Sequence, residues 1–147
     1  MLKTFEVLPH TADIKIRVYG ATLADLFRNA LIGMFQSIGP HADGCIVVNG
    51  LLECAELPCS HQVAITATTI ESLLVDFLSR ALYLSDVHNE AYLDAKIHEI
   101  NETHVKATIF GVSVTRFEVV EIKAVTYHDL MVRRVGDGYQ VDIVFDI

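Results

Sequence analysis

The chain has 147 residues, 52% of them hydrophobic and 20% charged, with a formal net charge of −8. That length fits a single domain over residues 1–147, able to bury roughly two thirds of the surface its unfolded form exposes, so neither a metal nor a disulfide is required for folding. The negative charge opposes direct docking on nucleic acid or on an anionic membrane, no apolar run reaches bilayer length, and no secretory pattern opens the chain; the cytoplasm is the expected location.

Phe5 to Tyr19 reads as strand, broken near Leu8-Pro9-His10 because proline removes a ladder donor. From Asp13 the alternation is regular, with Ile14, Ile16 and Val18 inward and Asp13, Lys15, Arg17 and Tyr19 on the other side. Gly20 ends this strand. Thr22 offers an N-cap, Asp25 suits the positive helix end, and Leu23, Leu26, Phe27, Ala30, Leu31 and Met34 follow at helical spacing until Gly39-Pro40.

Between His41 and Ser60 the glycines, Pro58 and the run Cys45–Val48 predict at most a brief strand or hairpin. The three cysteines, 45, 54 and 59, are odd in number, and a set of Cys54, Cys59 and His61 lacks a fourth ligand and the usual C-x2-C spacing; reduced thiols are expected. His61 to Thr68 alternates, and Thr68 with Glu71 forms a capping-box pattern before a second helix with apolar Leu73, Leu74, Phe77, Leu78, Ala81 and Leu82. Both helices carry D-x-x-x-x-A-L, at Asp25–Leu31 and Asp76–Leu82. Strands follow at Ala91–Glu99, His104–Phe110, Phe117–Tyr127, Leu130–Val135 and Tyr139–Ile147, with a turn at Gly111 and a hairpin signal at Asp137-Gly138. The prediction is an α+β, two-layer domain: a mostly antiparallel mixed sheet with two helices packed on one face.

Three segments join a regular apolar face to unusual polar residues: H-T-A-D-I from His10, E-I-K-A-V-T-Y-H from Glu121, and F-D-I from Phe145. Period two puts Glu121, Lys123 and Tyr127 on one face of the middle segment. In the last strand Val141, Ile143, Phe145 and Ile147 point one way and Asp142, Val144 and Asp146 the other. A carboxylate at Ile147 beside that of Asp146 would call for a cation, and if the three strands were neighbours, Asp13, Lys123 and Asp146 would form a mixed-charge cluster. Each segment also has a plain reading, as a turn cap, a solvated strand face or a local donor.

These three words, together with G-A-T-L-A-D-L-F-R-N-A and L-L-V-D-F-L-S-R-A-L-Y-L, resemble the archease family, activators of RtcB-type RNA ligases, over nearly the whole chain. The resemblance departs at Thr115 to Val120, where the family tends to carry a histidine and a glycine and this chain has neither. It implies calcium or another divalent cation held by Asp13, Asp146 and Ile147, and an essential lysine at Lys123. It implies an accessory protein, not an enzyme, that promotes guanylylation and multiple turnover of an RtcB-type RNA ligase in tRNA splicing and RNA repair, meeting RNA only through the ligase. The competing reading is a metal-dependent hydrolase of a small phosphate compound, with His10 or His128 as base, although no nucleophile and no glycine-rich phosphate cradle is found. A plain interaction domain is the third.

Overall fold

The computed structural model describes residues 4–9, 12–119 and 121–147. His10 and Thr11 of the first polar segment, and Val120, lie outside the described residues. The chain runs β1 (Phe5–Leu8), β2 (Ile14–Gly20), α1 (Leu23–Ser37), β3 (Pro40–His41), β4 (Cys45–Val48), β5 (Leu51–Cys54) and β6 (Cys59–Thr66). It continues through α2 (Ile70–His88), β7 (Glu90–Ile100), β8 (His104–Ser113), β9 (Arg116–Phe117), β10 (Ala124–Val125), β11 (Arg133–Val135) and β12 (Gly138–Asp146).

The α+β class holds: two helices accompany strands whose described pairings are all antiparallel. The strands divide between two main sheets, one ordered β1-β2-β12-β10 with β11 also on β12, the other β6-β8-β7. Helix α1 packs against β2 of the first and β7 of the second, while α2 packs against β6, β7 and β8. That position explains why α1 buries more than one stripe. Beyond the expected Leu26, Phe27, Ala30, Leu31 and Met34, it also buries Asn29, Gly33 and Phe35. The Asn29 amide is satisfied there, donating to the Tyr19 carbonyl at 2.7 Å.

Local signals set the helix starts. Thr22 caps α1, its hydroxyl accepting from the Asp25 amide at 3.1 Å. The cap of α2 is Thr69 rather than Thr68, accepting from Ser72 N, and the Glu71 carboxylate, instead of reaching back, accepts from the Val132 amide at 3.0 Å. Asn89, with φ of 56°, ends α2 in the left-handed conformation and turns the chain straight into β7.

Other expectations need correction. Gly111 is not a turn; it sits within β8, opposite both Cys59 and Tyr92. A Cβ there would lie 1.9 Å from the Ala91 carbonyl oxygen, so Gly111 is required for close backbone approach. Gly111→Ala is expected to lower unfolding free energy by roughly 3 kcal/mol in denaturant titration. An effect below a few tenths would contradict the packing described.

The predicted strand Phe117–Tyr127 is two short pieces, because its ends pair with different partners: Phe117 with Pro40, and Val125 with Phe145. The intervening chain must cross between them, which breaks period two, so that Ile122 and Val125 reach the core while Ala124 is exposed. Likewise only Arg133–Val135 of the expected Leu130–Val135 is strand. The hairpin is present; Val135 pairs with Gly138, and Gly136 supplies positive φ (58°) at the first turn position.

The cysteine expectation is overturned in part. Cys45 and Cys54 face each other across the β4–β5 hairpin with Cα atoms 4.5 Å apart and are joined as a disulfide, leaving Cys59 free. Pairing register, which spacing did not reveal, brings them together.

Candidate functional site

In β12, Val141, Ile143 and Phe145 are buried in the core as alternation requires. Val144 on the opposite face is covered too, whereas Asp146 is exposed and Ile147 lies beyond the strand, 37% exposed. Ile147 therefore does not extend the buried row of the strand.

Register decides which polar residues meet. The last β2–β12 pair is Phe145 with Ile14, so Asp13 and Asp146 each stand one residue beyond it, at the same end of neighbouring strands. On the other side of β12, Ala124 pairs with Asp146, and the Lys123 amide donates to the Asp146 carbonyl at 2.7 Å. Asp13, Asp146 and Lys123 thus come from three adjacent chain segments in the order β2-β12-β10. Ala12, with φ of 69°, gives the chain its turn into β2 just ahead of Asp13. Asp13 is half-buried and has an interaction of its own.

Lys123 also borders a groove of about 630 Å³, walled on one side by Phe117 and Glu121–Val125 and on the other by α2. Ser79, Tyr83 and Asp86 of α2 line its other wall. Sequence reasoning gave α2 no functional weight. A signal existed in Tyr83 and Val87, large apolar side chains on the helix's outer face, 63% and 56% exposed.

His128 is not brought to these strand ends. It is exposed, lies 3.3 Å from Asp129, and lines a separate groove on the outer face of the first sheet with Lys15, Arg17 and Arg133. In that groove Arg17 grips Asp142 across the β2–β12 pair, Nε to Oδ1 at 2.8 Å and Nη2 to Oδ2 at 3.0 Å. The Arg17 guanidinium holds the Asp142 carboxyl below the usual carboxylate range, against the opposing effect of partial burial. A depressed folded-state pKa contributes stability above the unfolded value and loses it as pH falls through the folded one. Asp142→Asn is therefore expected to destabilise at neutral pH and to match the native chain in strong acid. An equal deficit at both pH values in thermal unfolding would contradict the ion pair's role.

The Thr115–Val120 departure is anchored through its described residues: Thr115 donates to the His41 carbonyl at 2.7 Å through its amide, and Glu118 N to the Gly39 carbonyl at 2.9 Å. It braces the start of the segment that carries Lys123.

The arrangement offers hard oxygen donors and one compact cation at a strand end, which suits ion binding and positioning.

Comparison with known proteins bears on this directly. A family model described as the Archease protein family (MTH1598/TM1083) matches residues 5–147. The chain is 35% identical to a protein named archease from Methanosarcina acetivorans, covering 99% of this chain and 97% of that one. It is 30% identical to another so named from Pyrococcus furiosus, covering 99% and 100%. Among solved structures, the solution structure of Methanobacterium thermoautotrophicum protein 1598 is similar with a TM-score of 0.68 at 25% identity, covering 99% of this chain and 100% of that one. A Thermotoga maritima crystal structure titled an archease and "possible chaperone" shares the fold, with a TM-score of 0.60 at 21% identity and coverage of 95% and 94%.

Proposed function

Since this chain belongs to the archease family, we propose that it is a non-catalytic accessory protein that activates an RtcB-type RNA ligase, promoting guanylylation of the ligase by GTP and multiple turnover in tRNA splicing and RNA repair. The observation that carries the reading is the register at the strand ends, which sets Asp13, Asp146 and Lys123 side by side.

In this reading the side chains of Asp13 and Asp146, with main-chain oxygen at Ile147, hold calcium or another divalent cation. The fit rests on the donor set: two carboxylates from adjacent strands and main-chain oxygen are hard ligands. Three protein positions leave coordination sites for water or for groups on the ligase. A bound ion would supply positive charge next to phosphate oxygens. Lys123, held by its own amide to the Asp146 carbonyl, offsets the carboxylates and presents a point charge to phosphate or to a ligase carboxylate.

The net charge of −8 favours meeting a basic ligase over competing with it for RNA, so RNA contact is indirect. No helix among the described residues is long and apolar enough to cross a membrane. We place the working protein in the cytoplasm. There the Cys45–Cys54 bridge, on the β4–β5 hairpin, is outside the strand ends, and its reduction is expected to leave activation intact.

The test is joining of a cyclic-phosphate RNA end to a 5′-hydroxyl end by a cognate ligase with GTP. Added protein is expected to convert a single turnover into many, and Lys123→Ala to lose most of that gain. No gain at matched metal, with phosphate release by the protein alone, would favour the hydrolase reading.

A further inference from the structure

A second cluster lies away from those strand ends, where the C-terminal end of α2 meets the second sheet. Cys59 and His61 share one face of β6, and Gly111 and Ser113 of β8 and Glu90 and Tyr92 of β7 align on the same face. Gly111, having no side chain, lets the Ala91 carbonyl and the Tyr92 ring close against β8. Across that strand the His61 Nε2 reaches Glu90 Oε1 at 2.7 Å, and the His61 ring meets Tyr92 edge-on at 5.5 Å. The Tyr92 hydroxyl donates to the same Glu90 oxygen at 2.8 Å. Above them His88, in the last turn of α2, stacks on His61 with ring centroids 4.6 Å apart.

Ligand atoms of His61, His88 and Glu90 all lie within 4.8 Å of one another. We propose that His61, His88 and Glu90, with the Cys59 thiol as fourth donor, form a binding site for a zinc-class divalent cation.

Four donors around zinc, at about 2.0–2.3 Å each, stand roughly 3.5 Å apart, so the three must draw in from separations of up to 4.8 Å, and the Cys59 thiol, which approaches Glu90 but lies outside that set, must turn toward the imidazoles. The donor set is two imidazoles, a carboxylate and a thiol, which selects zinc or cobalt over calcium. The frame is rigid. Cys59 and His61 are two apart on a paired strand; His88 and Glu90 are two apart across the Asn89 cap. That cap is fixed by mutual hydrogen bonds between Asn89 and Val114, and the Ser85 hydroxyl holds the Glu90 carbonyl at 2.5 Å.

A purely structural network accounts for His61, Tyr92 and Cys59, each resting on the Glu90 carboxylate. It does not account for His88. Among the described residues this exposed imidazole makes the ring contact and no side-chain hydrogen bond, although it stands over a carboxylate and a second histidine. Burial pushes the Glu90 carboxyl up, but the bonds from Cys59, His61 and Tyr92 outweigh it and keep the group anionic, ready to ligate. On binding, His61 Nε2 turns from donor to ligand, its proton moving to Nδ1 as the ring changes tautomer, and the Cys59 thiol proton passes to solvent.

The experiment adds cobalt, then zinc, to the full chain after chelator treatment in non-reducing buffer. One cobalt per chain is expected, with a thiolate charge-transfer band, displaced by zinc, and with a raised unfolding temperature. His88→Ala should weaken binding at least about tenfold, the scale that orienting groups alone contribute. Its metal-free unfolding should not change, because His88 is exposed. Cys59→Ser should bind but lose the thiolate band. Asp13→Ala should bind as the native chain does, which separates this site from the proposed calcium site. Absence of saturable one-to-one binding, unchanged affinity in His88→Ala, or a thiolate band that survives Cys59→Ser would each overturn the proposal.

Discussion

Asp146→Asn is expected to abolish stimulation of the ligase while leaving metal-free unfolding within about 0.5 kcal/mol of the native chain, because the side chain is exposed and the substitution removes charge without changing shape. Calcium at 100 times its dissociation constant should stabilise the native chain by about 2.7 kcal/mol, and that gain should vanish in the variant. Asp13→Asn should lose the same calcium response. A modest metal-free cost is also expected there, since Asp13 is half-buried and has an interaction of its own. The pair of measurements separates roles. Equal calcium stabilisation in Asp146→Asn would move the ion elsewhere; lost ligase stimulation with the calcium response intact would make Asp146 a contact to the partner.

The largest effect on stability is expected at Phe27, fully buried on α1 with its ring 5.6 Å from that of Phe77 on α2. Helix α1 lies between the two sheets, so a cavity there has sheet residues on both sides that cannot collapse into it without breaking strand register. Phe27→Ala should cost about 3–5 kcal/mol in denaturant titration. Combined with Phe77→Ala, the double variant should lose less than the sum, by about 0.5–1.5 kcal/mol, because the ring pair is counted twice. Additive losses would mean the two rings do not act as a pair. A loss under 1 kcal/mol for Phe27→Ala would contradict the packing of α1.

Much of this architecture was legible because period and caps are local. Thr22, the stripe from Leu26 to Met34 and the inward row Val141, Ile143 and Phe145 each follow from spacing. Apart from the one-residue shift of the α2 cap to Thr69, the failures share one cause, which is that pairing partners are not written beside the residues that need them. Gly111 reads as a turn until Ala91 is known to run alongside it. Cys45 and Cys54 read as separate thiols until the hairpin register sets them opposite each other. The crossing segment reads as one strand because its apolar spacing does not reveal that its ends serve two sheets.

The strand-end cluster was legible as three words, but their adjacency was not. It depends on β12 pairing with β2 on one side and β10 on the other, a consequence of the whole first sheet. Nothing near His61 in the sequence points to His88 or Glu90; only the left-handed cap at Asn89 and the β6-β8-β7 strand order bring them together.

The most direct test of the central claim is transfer of labelled guanylate from GTP to a cognate ligase that has completed one round of joining, with and without this protein at fixed metal. The account predicts that the spent ligase is guanylylated again only when the protein is present, and that Asp146→Asn fails to restore it. Equal guanylylation with and without the protein would contradict it.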